Sequence, residues 1–390
     1  MNDIDFSIFN VFNTLGTVSI VWVSVLAFCL LVQLIYYLGF LAKPYRYERA
    51  VESGVKTVGD AQPPVSVIVC AKNEAQSLQE YLPVLLEQNY PIYEVIFVDD
   101  ESNDETTDVV GKLAQRFPHL YHTYIPSGSM NLSRRKLGLT LGIKAAKYDT
   151  LLLTDAGCAP NSPDWIAKMA RHFHKLDSVV LGFSALDRHS SKYAIYDYFF
   201  SNLKMAATAL LGKSYMANGK NLAYSKEQFL LRRGFSNSNF MDAGEDDLFV
   251  DEIANSHNLA VELSSESVIQ VSLNAQQTWK DLKISRMVTN PYYKSFPIFL
   301  WRVEKWTRIF FYLSFVASAI WVIPHWEWLI VVGLMGLLRL FSQWFVINKT
   351  ANVLNLPKIY LSLPLFDIVQ PFVDAYFSFQ QRMIGKRIYR

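Results

Sequence analysis

The sequence predicts an α/β chain with a mostly parallel sheet at its centre and transmembrane helices before and after it. Three observations predict this. Short β-branched runs alternate with helix-length intervals between residues 62 and 272, both ends of the chain are nearly free of charge, and most acids lie in the middle. Of 390 residues, 51% are hydrophobic and 18% charged, with 37 Lys+Arg against 35 Asp+Glu. That is too apolar for a disordered chain and too balanced for a dedicated nucleic-acid binder, so no nucleic-acid partner is expected. Cys29, Cys70 and Cys158 lie far apart without metal-ligand spacing. They are expected to be reduced packing residues.

The N-terminal anchor is expected over residues 1–45. Val18 to Leu41 is charge-free and long enough to cross a hydrocarbon core, and it lacks the basic start and cleavage site of a signal peptide. Lys43, Arg46 and Arg49 follow it, whereas only Asp3 and Asp5 precede it. The positive-inside rule therefore places the middle of the chain in the cytoplasm. A hairpin of two spans is expected over residues 309–348, as Ile309 to Ile323 and Trp328 to Ile347 around a short turn flanked by tryptophans. Arg339 falls inside its second arm and is expected to snorkel. Residues 357–390 contain Pro364, Asp367, Pro371 and Asp374 and end in a basic tail, so a helix in the interface or packed on the spans is expected. Three spans result.

Residues 60–275 form the expected sheet domain, with strands at Val65–Cys70, Glu94–Val98, His122–Ile125, Thr150–Thr154 and Val179–Phe183. Such sheets bind ligands beyond the carboxyl ends of their strands. The first strand runs into Lys72-Asn73-Glu74, the second into Asp99-Asp100-Glu101, and the fourth into Thr154-Asp155-Ala156-Gly157. A helix cap explains any one of these acids, but not their repeated delivery to one rim. Ser133-Arg134-Arg135-Lys136 opens a helix and offers cations together with free N–H groups, which suits a diphosphate. Gly244-Glu245-Asp246-Asp247-Leu248 is a dense acidic cluster at another helix start, where mutual repulsion raises at least one pKa and favours a general base. Neither phosphate-loop nor dinucleotide glycine motifs are present, and no His-Glu-x-x-His occurs.

These stretches, together with Asn218-Gly-Lys-Asn-Leu-Ala-Tyr224, resemble the family-2 glycosyltransferases of the GT-A fold, a Rossmann-like architecture, and in particular the membrane-anchored bacterial kind. The resemblance implies an inverting transferase of the hexosyltransferase type, located in the bacterial inner membrane with its catalytic domain cytoplasmic. It uses a nucleotide-sugar donor, with UDP favoured, and a lipid-linked or membrane-bound acceptor. By the same resemblance Glu74 and Asp100 contact the uracil or ribose of the donor with Asp99 close by, Arg135 and Lys136 lie near the diphosphate, and Asn221 with its neighbours shapes the sugar pocket. Asp246 is the base, flanked by Glu245 and Asp247. Asp155 matches the first acid of the metal-binding Asp-x-Asp.

Two departures qualify these expectations. Gly157 replaces the second acid, the usual ligand of Mg²⁺ or Mn²⁺, so that arginines and lysine of the 134–136 run are expected to take over part of the leaving-group stabilisation. In the interfacial region, residues 276–308, Leu282 and Ser285 stand where polymer synthases carry Gln and Arg, with Arg286 one place off. A single addition is therefore expected in place of polymerisation. The competing expectation is a catalytically impaired, transferase-like partner in an envelope-glycan assembly complex.

Overall fold

The computed structural model describes residues 16–126, 128, 133–273 and 277–388; the flank containing Asp3 and Asp5 lies outside them. Helix α1 (Thr17–Leu34) runs through a π-helical stretch, Ile35–Leu41, into α2 (Lys43–Glu52). The alternating domain follows as β1 (Val65–Ala71), α3 (Ala75–Leu86), β2 (Tyr93–Asp99), α4 (Thr106–Arg116), β3 (Leu120–Tyr124), α5 (Arg134–Ala145) and β4 (Thr150–Asp155). It continues with β5 (Cys158–Pro160), α6 (Trp165–Ala170), β6 (Val179–Gly182), β7 (Ser184–Leu186), α7 (Lys192–Ala209), β8 (Leu222–Ser225), α8 (Lys226–Leu231), α9 (Asp247–Ile253), β9 (Leu259–Glu262) and β10 (Ile269–Val271). The chain ends in α10 (Trp279–Thr289), α11 (Ser295–Trp321), α12 (Trp326–Val353) and α13 (Leu363–Ile388).

The main sheet has the strand order β3-β2-β1-β4-β8-β6-β9. Its β1–β2, β1–β4, β2–β3 and β6–β9 pairs are parallel, and β8 alone runs against its neighbours β4 and β6. The expected mostly parallel α/β sheet is therefore observed. All residues of β4 are buried, as a central strand covered on both faces requires. On one face Ile68, Val98 and Leu153 share a core with Leu139 and Ile143 of α5, with Tyr37 and Leu41 of the first long helix, and with Val346 and Ile347 of α12. The long apolar helices thus pack directly onto the sheet domain. A second, three-stranded sheet, β5-β10-β7, lies beyond the main one.

Among the described residues two helices, Thr17–Glu52 and Trp326–Val353, are long and apolar enough to cross a membrane. The expected boundary at residue 308 is absent: the interfacial stretch and the first hairpin arm are one 27-residue helix, α11. The reason is composition, since nothing between Pro297 and Trp321 breaks a helix.

Arg339 does not snorkel. It is fully buried, with Nη1 2.8 Å from Asp367 Oδ2 and Nη2 donating to Gln33 Oε1 at 3.0 Å. Asp367 also sits 3.3 Å from Arg308 and accepts from the Tyr312 hydroxyl. The C-terminal helix is thus packed on its neighbours, pinned by charge, as one of its two expected placements required. Breaking a buried pair from one side strands a charge at about 3–5 kcal/mol. Asp367→Asn should lower the thermal unfolding midpoint of the detergent-solubilised protein strongly, and Asp367→Leu combined with Arg339→Leu should recover much of that loss; an unchanged midpoint for Asp367→Asn would refute the pairing.

Candidate active site

The site forms where β1, β2 and β4 end. Asn73 and Glu101 adopt left-handed backbone angles, φ 52° and 53°, which turn the two loops toward each other. Asn73 N–H donates to Ser102 Oγ at 2.9 Å, Asn103 N–H to Asn73 Oδ1 at 2.7 Å, and Glu74 N–H to Thr106 Oγ1 at 2.9 Å. Asp99 is spent inside this scaffold, accepting from Ser102 N–H at 3.0 Å and Thr107 Oγ1 at 2.9 Å. Asp100 is thereby left at the rim.

A line of opposite charges, in two separate ion-paired groups, runs along these strand ends. Arg134 Nε donates to Asp100, and its Nη2 lies 3.1 Å from Glu101. Arg135 bridges Asp155 Oδ1, at 2.8 Å from Nη2, and Glu245 Oε1, at 2.6 Å from Nε. Lys220 Nζ donates to the other Asp155 oxygen and to Gln277 Oε1 at 2.8 Å. Burial opposes the charge on Asp155, yet Arg135 and Lys220 outweigh it and hold the carboxyl well below the usual carboxylate range.

Asp246 stands next to this line. Its Oδ2 accepts from Gly219 N–H and its Oδ1 from Asp247 N–H, both at 2.8 Å. A Cβ at Gly219 would stand 3.3 Å from Asp246 Oδ2, so a side chain there would press on the carboxylate. Gly244, with φ 93°, makes the turn that delivers the cluster, and a Cβ there would meet Leu248 at 2.7 Å. The expected pKa elevation falls on the flanking acids. Burial, reinforced by the neighbouring Asp246, pushes Asp247 well up, and burial lifts Glu245 as well despite Arg135. Asp247 faces inward, accepting from Thr289 Oγ1 at 2.6 Å and from the Tyr293 hydroxyl.

The structure therefore brings together Asp100, Arg134, Arg135, Asp155, Glu245 and Asp246. Glu74 stays at the loop's edge, its carboxylate accepting from Ser77 Oγ at 2.6 Å. Two expectations fail. Lys136 is buried and donates to the carbonyls of Ser238, Met241 and Ala243 at 2.6, 2.9 and 2.7 Å, so it fastens the loop before α9 and is not free for a diphosphate. As the third residue of α5 it simply points inward. Asn221 is also buried, donating to the carbonyls of Phe183 and Ser267 at 2.8 and 2.9 Å and accepting from Trp165 Nε1 at 3.0 Å. It stitches the two sheets together and does not line the cleft. The residue that sequence reasoning missed is Lys220, whose signal was present as a lone cation inside the Asn218-Gly-Lys-Asn221 loop.

As arranged, these residues do not fit a divalent cation. Both Asp155 oxygens already face cations, and a Cβ at position 157 would come within 3.0 Å of the Ser272 carbonyl. Among the described residues, no group of three or more His, Cys, Asp or Glu side chains could hold an ion. A dication beside Arg135 and Lys220 would be repelled, whereas hard cations need several oxygen ligands.

Residues 66–229 match the family model described as Glycosyl transferase family 2. The chain is 31% identical over 120 residues to an uncharacterized glycosyltransferase of Haemophilus influenzae, covering 30% of this chain and 35% of that protein. It is 22% identical over 209 residues to the 4,4'-diaponeurosporenoate glycosyltransferase of Staphylococcus haemolyticus, covering 51% and 54% respectively. The chain thus spans between about a third and a half of the length of these relatives. The mannosyltransferase PcManGT of Pyrobaculum calidifontis, solved with GDP-Man and Mn²⁺, shares the fold at a TM-score of 0.53 and 19% identity, over 85% of this chain and 99% of that one.

Proposed function

We propose, from the match of residues 66–229 to the family model described as Glycosyl transferase family 2, that the chain moves a sugar from a nucleotide diphosphate, UDP in the first instance, to a membrane-associated lipid or glycan acceptor. The observation that carries this reading is the pair of charged groups at the strand ends, Asp100 with Arg134 and Asp155 between Arg135 and Lys220, with Asp246 beside the second. On this reading Asp100 and Glu74 meet the nucleoside, and Arg135 and Lys220 face the diphosphate. The acceptor hydroxyl oxygen bonds to the anomeric carbon as the bond from that carbon to the diphosphate breaks. The electron pair leaves with the diphosphate, and the hydroxyl proton passes to the Asp246 carboxylate. Attack opposite the leaving group inverts the centre. Cations already fixed where negative charge develops stabilise the transition state without reorganisation.

The two apolar helices and the basic residues Lys43, Arg46 and Arg49 support a place in the bacterial inner membrane, with residues 60–275 on the cytoplasmic side. An impaired partner protein is the weaker reading, because such a protein has no use for the Asp246 and Lys220 arrangement. A thermal-shift titration of UDP- and GDP-sugars on the solubilised full chain, run in chelator, tests the donor assignment. A ligand at a hundredfold excess over its dissociation constant should stabilise by about 2.7 kcal/mol. Absence of any shift with every nucleotide sugar tried would overturn it.

A further inference from the structure

A cavity of about 400 Å³ lies between α7, α10, α13 and the first turns of α11, separate from the donor cleft. Its wall is aromatic, built from Tyr198, Tyr215, Trp279, Tyr293 and Trp301. Seven Lys and Arg side chains line it against only two carboxylates, Asp197 and Asp374. Lys283 neutralises both, at 2.5 and 2.8 Å. Arg286, Arg302, Lys305 and Arg382 have no acid within salt-bridge distance among the described residues; Arg286 rests its guanidinium 4.7 Å from the centre of the Tyr198 ring. Arg308, buried at the back, is already paired with Glu304 at 3.5 Å and Asp367 at 3.3 Å, so the unpaired charge of the cavity is that of Arg286, Arg302, Lys305 and Arg382. Like charges gathered in a walled cavity repel one another, and an anion with several acceptor oxygens relieves that repulsion best.

The position of the cavity restricts the source of that anion. Along α11 the charged residues end at Arg308, and beyond it Phe310, Leu313 and Val316 are half exposed or more. The cavity therefore sits at the level where an apolar phase gives way to water, and basic pockets between membrane helices at that level bind lipid headgroups. Exposed Trp306 and Phe299 on the same helix suit that boundary. Two of the wall tyrosines also touch the loops that hold the proposed base. The Tyr293 hydroxyl donates to Asp247, and Tyr198 OH accepts from Asn218 Nδ2 at 2.6 Å, one residue before the Gly219 N–H that holds Asp246.

We infer that this cavity seats the phosphate of an anionic lipid headgroup and so holds the membrane acceptor with its hydroxyl turned toward Asp246. The acceptor role rests on the transferase reading given above; binding of the phosphate does not. Dihexanoyl phosphatidic acid, dihexanoyl phosphatidylcholine and inorganic phosphate are titrated separately into the full chain in non-ionic detergent, without donor, and followed by tryptophan fluorescence. Phosphatidic acid should saturate at a concentration about tenfold lower than either control, as a basic headgroup pocket requires. The double variant Arg302→Gln, Lys305→Gln should weaken it about tenfold, and Arg286→Gln about as much, with the unfolding midpoint and the nucleotide-sugar shift unchanged. Phosphatidic acid binding no better than phosphatidylcholine would overturn the inference. Inorganic phosphate binding as tightly as phosphatidic acid would overturn the lipid source, and variants with wild-type affinity would overturn the location. A missing nucleotide-sugar shift alongside intact phosphatidic acid binding would instead count against the transferase reading.

Discussion

Asp246→Asn is expected to abolish sugar transfer, lowering kcat by about 10²–10⁴ as loss of a general base does. The change is nearly isosteric, and Asn keeps one oxygen to accept from either Gly219 or Asp247 N–H, the two donors that fix Asp246 at 2.8 Å. The proposed donor site at Asp100, Arg135, Asp155 and Lys220 is untouched. Donor stabilisation in a thermal-shift assay should therefore survive while turnover disappears. Turnover within a few-fold of wild type would remove Asp246 from the chemistry, and with it the strongest reason for preferring an enzyme over an assembly partner.

Lys220→Met should produce the second large loss. Lys220 is 5% exposed and its ammonium closes one side of Asp155. Burial favours its neutral form, but Asp155 more than compensates and raises its pKa, so the ammonium stays charged at neutral pH. A fixed cation aimed at a departing diphosphate is worth about 10²–10³ in rate, by analogy with single oxyanion donors. Methionine fills a similar volume without charge, and Arg135 still pairs with Asp155, which keeps the carboxylate from being stranded. The expected result is a fall of that size in kcat/KM with the unfolding midpoint little changed, and a wild-type rate that resists excess chelator. Complete loss of wild-type activity in chelator, restored by Mn²⁺, would show that Lys220 does not do this work.

How far the sequence spoke depended on the length scale of each signal. The strands β1, β2 and β4 are six or seven residues long and rich in valine, isoleucine and leucine, and buried parallel strands of that kind declare themselves. Leu222–Ser225 does not: four residues after a polar loop carry too little periodicity, and this antiparallel strand is the one that brings Lys220 against Asp155. Acids at strand ends were legible because the sheet itself dictates where they go. The directions of Arg134, Arg135 and Lys136 were not, since successive helical positions diverge by about 100° and only packing tells which cation enters the cleft. Arg339 misled for a related reason. A cation within an apolar run reads alike whether it reaches for water or for a carboxylate, and its partner Asp367 lies on a different helix.

The crowding around Gly157 bears on any attempt to give this position the acid it lacks. A carboxylate engineered at that position would have to displace the Ser272 carbonyl, 3.0 Å from where its first side-chain carbon must go. Even then Asp155 would still be held between an arginine and a lysine. A single added carboxylate would therefore meet a backbone that has to shift and a neighbouring acid whose two oxygens already face cations.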